Sequence, residues 1–286
     1  MQNLFTRVLT AFFIVACVIL SGCDVNNNLL KSKAIRESEE YVNRGLYCWQ
    51  KDDYEKAIEY YTKAIEINPN NYRAYDSRGH CYYLLKNYEL ELQDLNKFVE
   101  IASKESDPDI AFNAYLRRGD FYDQQGKYDL AIQDYTKAIE ISPDYFLGYI
   151  SRGKCYEKIG ETEKAIQDYT ELIKLFPNDT EAYNKRGTIY YNQQKYEQAI
   201  QDFNEAIKIH SKSKYSQEAE EYYNRGLAYY MLEQYEQAIQ DFTKAIEICS
   251  YDSRYYHDRG LCYQKLGDEE KAQSDLDIAK ELGYEE

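Results

Sequence analysis

An apolar run from Val8 to Leu20, interrupted only by Thr10, lies near the start of the sequence, and after it apolar and polar positions alternate in a recurring scheme. Ala57, Ile58, Tyr61 and Ile65 fall on one face of a helix, and the same set returns as Ala131, Ile132, Tyr135 and Ile139 and as Ala165, Ile166, Tyr169 and Ile173. An Arg-Gly pair marks each return, at 44/45, 78/79, 118/119, 152/153, 186/187, 225/226 and 259/260. Successive glycines stand 34, 40, 34, 34, 39 and 34 residues apart. Proline is scarce, four residues in 286, so long amphipathic helices are expected rather than strands.

The 34-residue period resembles that of the tetratricopeptide repeat (TPR), a helix–turn–helix unit. With glycine at repeat position eight, seven units start at Ser38, Tyr72, Phe112, Phe146, Thr180, Ala219 and Ser253. Their spans are 38–71, 72–111, 112–145, 146–179, 180–218, 219–252 and 253–286, with single insertions after the second and fifth units. Position twenty is small (Ala57, Ala131, Ala165, Ala199, Ala238, Ala272), and position twenty-four carries Tyr61, Tyr135, Tyr169, Phe203 and Phe242. Pro69, Pro143 and Pro177 end second helices because proline cannot continue the hydrogen-bond ladder. The resemblance implies an all-α fold, a right-handed α-solenoid of seven units. Repeat two departs most, with Glu91, Leu95 and Phe98 at signature sites, and looser packing is expected there.

Positions twenty-one and twenty-eight are aliphatic in the first six repeats but become Gln273 and Lys280 in the seventh. A solenoid's end must turn a polar face to water, so repeat seven reads as a cap.

Residues 1–22 read as a signal peptide. Arg7 closes a short polar start, and the thirteen-residue run that follows is too short to span a bilayer, which needs about 20. Leu20-Ser21-Gly22-Cys23 resembles the bacterial lipobox, which implies removal of 1–22 and a lipidated Cys23 at the new N-terminus. Residues 23–37 then form a polar tether ahead of the array, 38–286. The expected location is a bacterial envelope membrane, inner or outer, reached through the lipid anchor.

Charge and chemistry narrow the function. The first 23 residues carry one charge, Arg7, which leaves 34 Lys and Arg against 50 Asp and Glu, a net of −16. Such a surface repels phosphate backbones, so no nucleic-acid partner is expected. His80, His210 and His257 are scattered and form no metal-ligand motif, and there is no P-loop. No catalytic residue, metal, cofactor or small-molecule substrate is expected. The remaining cysteines, Cys48, Cys81, Cys155, Cys249 and Cys262, show no C-x-x-C spacing and read as buried thiols ahead of disulfides, which export would permit.

Most of the thirty-three tyrosines recur at repeat positions four, eleven, seventeen and twenty-four, which are packing sites. Arginine at position seven accompanies Asp94, Asp134, Asp168, Asp202, Asp241 and Asp275 at position twenty-three. Arg–Asp pairs between helices are expected, a basic ladder for an acidic ligand being the alternative.

In TPR proteins positions two, five, nine, twelve and thirteen of the first helix line a concave groove. Here they place Trp49, His80 and Tyr83 toward one end and Tyr191, Tyr223, Leu227, Tyr230 and Met231 toward the other. Between them lie Asp123, Lys154, Glu157 and Lys158. Val42 and Leu46 occupy two positions of the clamp that holds chaperone C-termini in some TPR proteins, so that ligand is disfavoured. The expected function is a membrane-anchored scaffold or adaptor that binds a partner protein's peptide or helix. The alternative is a peptidoglycan- or glycan-binding module that uses exposed tyrosines.

Overall fold

The computed structural model describes residues 30–211 and 219–285. The signal segment 1–22, Cys23, the first part of the tether and most of the insertion after repeat five lie outside the described residues. Among the described residues every regular element is a helix: α1 over 30–49, α2 (Tyr54–Ile67), α3 (Tyr72–Leu84), α4 (Tyr88–Ala102), α5 (Pro108–Gln124), α6 (Tyr128–Ile141) and α7 (Phe146–Lys158). They continue as α8 (Thr162–Leu175), α9 (Thr180–Asn192), α10 (Tyr196–His210), α11 (Ala219–Met231), α12 (Tyr235–Ile248), α13 (Ser253–Leu266) and α14 (Glu269–Glu281). The chain divides into two compact units, Met1–Phe121 and Tyr122–Glu286. Within each, helices pack on their neighbours in chain order, the all-α stack of helical pairs that the period implies.

Two boundaries differ from expectation. Residues 30–37, assigned to a polar tether, form the first turns of α1. The insertion after repeat two is absorbed into helix: α5 begins four residues before Phe112, with Pro108 in its first turn, where a missing N–H does no harm.

Each pair is held by a seam of small and aromatic residues. Ala57, Ala165, Ala199 and Ala238 are fully buried beside Tyr61, Tyr169, Phe203 and Phe242. Gly226 is needed there: a Cβ on it would lie 2.7 Å from Cε1 of Phe242. Gly79 is different. Leu95 replaces the aromatic ring in repeat two, and the nearest atom to an added Cβ is 3.4 Å away. This is the looser packing expected of that repeat, although Leu95 and Phe98 are themselves buried.

Every described turn within a repeat is closed by a left-handed residue at position fifteen. Gly126, Gly160 and Gly267 fill it in three repeats, but Asp52, Lys86, Gln194 and Glu233 adopt the same positive φ near 60° in the others.

The expected Arg–Asp pairs form within repeats two, four, five, six and seven. Arg186 donates from Nε and Nη2 to the two oxygens of Asp202, at 2.8 and 2.7 Å, and its Nη1 reaches Thr170 of the preceding repeat at 3.0 Å. Arg78, Arg225 and Arg259 repeat this fork on Asp94, Asp241 and Asp275. Tyrosines at positions four and eleven flank the guanidinium; Tyr183 and Tyr190 each centre 6.0 Å from that of Arg186. Much of the tyrosine excess therefore sheathes buried cations, and these arginines are not a ladder for an outside acid.

Cys48, Cys81, Cys155 and Cys262 are buried free thiols and Cys249 is a partly exposed one. Burial pushes Cys81 and Cys262 up to about 12, which makes them inert. At repeat seven Gln273 and Lys280 face solvent. Beyond it Gly283 turns the chain at φ 88°, and Tyr284 stacks on His257 with ring centres 3.9 Å apart.

Candidate functional site

The first helices of each repeat present one face whose residues divide by depth. Position five, expected to line the groove, is closed off in four repeats: Val42, Leu116, Ile150 and Tyr223 are all buried against neighbouring helices. Tyr223 is the correction that matters most. Its ring packs 4.9 Å from Tyr255 and 5.8 Å from Phe242, and its hydroxyl donates to Asp258 Oδ2 at 2.8 Å. Burial holds its pKa well above the usual phenol range. An aromatic ring there fills space between repeats and is not offered to a ligand.

Position twelve stays open. In the first unit Trp49 and Tyr83 are exposed, and His80 lies between them, 5.7 Å from one ring and 6.0 Å from the other. Burial and the nearby Arg117 charge lower the His80 pKa, so its ring is neutral at pH 7. The structure brings these three predicted residues into one row.

In the second unit Tyr191 and Tyr230 each pack edge-on against the residue opening the next helix, Tyr196 and Tyr235, at 5.5 Å. Both are partly exposed, and the Asp258 carboxylate reaches both, adding to the burial that raises their pKa values. Leu227 is half-buried on the Ala238–Phe242 cluster, and Met231 is exposed.

The charged stretch in the middle pairs internally. Lys158 Nζ holds both oxygens of Asp123 at 2.7 and 2.9 Å, Lys154 reaches Glu181 at 2.8 Å, and Glu157 accepts from Tyr169. Beside these residues a cleft of about 480 Å³ opens across α7, α9 and α11, with Glu157, Thr180, Asn184, Lys185, Thr188 and Asn224 on its walls. Asn184 Nδ2 donates to Glu221 at 2.7 Å, while its Oδ1 is buried without a hydrogen-bond partner. Thr180 Oγ1 meets His210 Nε2 at 3.1 Å. Sequence reasoning missed Asn184, Lys185 and Asn224. The available signal was polar residues at positions five and six, where repeats one, three and four place aliphatic residues at position five.

Comparisons with known proteins agree with this architecture. Tetratricopeptide repeat families match residues 38–71, 60–93, 112–145, 134–167, 158–194, 179–250 and 253–282. Heat shock protein STI1 of Saccharomyces cerevisiae is 40% identical over 65 residues, 22% of this chain but only 11% of that protein. The chain thus spans about a tenth of the length of that relative. Among solved structures MamA is 27% identical with a TM-score of 0.55, over 60% of this chain and 91% of that one. A tetratricopeptide repeat protein from Parabacteroides merdae superposes with a TM-score of 0.59 at 18% identity, over 88% of this chain and 95% of that one. With family matches across most of its length and the helical pairs that those matches require, this chain belongs to the tetratricopeptide repeat family.

Proposed function

We propose that this chain is a non-catalytic protein-interaction scaffold that holds an extended or helical segment of a partner protein along the faces of its first helices, while a lipid on Cys23 keeps it at an envelope membrane. The observation that carries the reading is the cleft across α7, α9 and α11. Its walls carry the hydrogen-bonding amides of Asn184 and Asn224, and Tyr191, Tyr230 and Met231 lie further along the same helices, α9 and α11. Amides satisfy a peptide backbone and aromatic or thioether surface takes its side chains, a combination suited to peptide capture. The lipid anchor rests on the Leu20-Ser21-Gly22-Cys23 motif alone.

Two experiments test the two halves. A photo-crosslinking residue at Thr188 or Asn224, used in living cells, should capture one enriched protein that the same residue at Lys244 on α12 does not. Equal recovery from all three positions would remove the interaction reading. Palmitate labelling should be lost in Cys23→Ala, with the protein leaving the membrane fraction; retained labelling would remove the anchor.

A further inference from the structure

The first unit contains a second, smaller cavity of about 200 Å³ between α1, α3 and α5, walled by Leu46, Trp49, Asp76, His80 and Arg117, with Tyr61 at its base. Three observations define what it would accept. Its aromatic wall is ready for a cation: Trp49 and His80 stand 5.7 Å apart, and the imidazole is neutral. Its floor has under-bonded oxygens. The Tyr61 hydroxyl is fully buried with only Ser77 beside it, and the buried Asp76 Oδ1 has no partner nearer than Arg117 at 3.4 Å. Behind them Glu91, buried at a position that holds alanine in most repeats, leaves Oε2 unbonded as well.

The resident cation answers these acids only at long range. Arg117 Nη2 lies 3.4 Å from Asp76 Oδ1 and 3.4 Å from His80 Nδ1, both long contacts from a partly exposed side chain. One guanidinium, at that distance from Asp76, also acts through its charge on the Glu91 carboxyl. The chain as a whole carries −15, so its long-range field draws basic partners toward the cavity.

We propose that this cavity is a receptor for one basic side chain, arginine or lysine, of a cationic partner segment, with Trp49 and His80 as the π wall and Asp76 as the counter-ion. This rests on the scaffold reading and names the partner's chemistry for the first unit. The ligand's N–H groups satisfy Asp76 Oδ1 and the Tyr61 hydroxyl, and its alkyl stem covers Leu46. A cation desolvated against tryptophan gains more than one in water, which offsets the approach of Arg117.

Trp49 is the only tryptophan in the chain, so its fluorescence reads occupancy directly. The full chain is titrated with end-blocked tri-arginine, tri-lysine, tri-citrulline and tri-glutamate peptides at low salt. Saturable changes are expected with the two basic peptides, at least fivefold weaker with citrulline, which keeps the shape but loses the charge. Asp76→Asn should weaken tri-arginine binding at least fivefold. Arg117→Gln should strengthen it, a gain that general misfolding would not produce. Equal binding of citrulline, tighter binding of tri-glutamate, or indifference to both substitutions overturns the proposal. If the peptides fail while crosslinking from Thr188 still captures a partner, only this cavity's role is lost. If both fail, the scaffold reading falls with it.

Discussion

Arg152 and Asp168 meet in a two-point fork, Nε to Oδ2 at 2.9 Å and Nη2 to Oδ1 at 2.7 Å, sixteen residues apart on the two helices of repeat four. Burial works against the guanidinium's charge, but the bonds from Asp168 outweigh it and hold the arginine above its ordinary pKa. The Asp168 side chain is 5% exposed, so it has no recourse to water if its partner leaves.

That geometry makes the pair asymmetric to mutation. Arg152→Leu should destabilise the chain by about 3 kcal/mol, because it strands a buried carboxylate. Replacing both residues, Arg152→Leu with Asp168→Leu, should recover most of the loss. Urea unfolding of the single and double variants tests this; a double variant as unstable as the single one would mean that packing around Tyr149 and Tyr156, and not the charge pair, sets the cost.

The seam glycines should respond in opposite directions. Gly226→Ala drives a methyl against Phe242, a fully buried ring that cannot retreat, and should cost about 1–3 kcal/mol. Gly79→Ala meets only ordinary contact at 3.4 Å and gains helix propensity, so it should stabilise by about 0.5–1 kcal/mol. Thermal melts of the two variants decide the matter.

The tight turns offer a second gain. Lys86, Gln194 and Glu233 sit at positive φ, where a Cβ crowds the following carbonyl. Substituting each by glycine should add about 0.5–1 kcal/mol per site, after allowing for the extra freedom that glycine gives the unfolded chain. The three sites are far apart, so the triple variant should show the sum. A lower melting temperature in the triple variant would show that these side chains make stabilising contacts.

Glu91 supplies a pH dependence. Burial raises its carboxyl from 4.5 to about 7, with Arg117 opposing. The folded state then holds a proton that the unfolded state has released between those values, so stability is highest below about pH 4.5 and declines as pH rises through about 7. Glu91→Ala, the residue found at this position in most repeats, should match the parent near pH 5 and exceed it at pH 8 by on the order of 1–3 kcal/mol. A pH-independent difference between the two would show that Glu91 is already ionised throughout.

The period made the seam legible in advance. Glycine at position eight, alanine at twenty and an aromatic at twenty-four each have one steric role, and that role survives from repeat to repeat. The face used for binding was legible only in outline. Tyr223 and Tyr230 lie seven residues apart on α11 and share a helical stripe, yet one is locked between Phe242 and Tyr255 and the other is open. That difference comes from the neighbouring repeat, whose side chains a helical wheel does not contain. The amides of Asn184 and Asn224 were hidden for the same reason, since nothing local marks them as cleft walls. The left-handed turns could have been read from Gly126, Gly160 and Gly267, which stand at one repeat position.

The third arm of each arginine reaches backward along the chain. Arg152 Nη1 binds Thr136, Arg186 binds Thr170, Arg225 binds Asn204 and Arg259 binds Thr243, each in the repeat before. A helical pair that opens therefore withdraws a donor from the next interface as well as breaking its own. Unfolding should spread between neighbours instead of stopping at one pair, so the repeats of a unit should melt together rather than one by one. A partner held across several pairs would then be gripped or released as a whole.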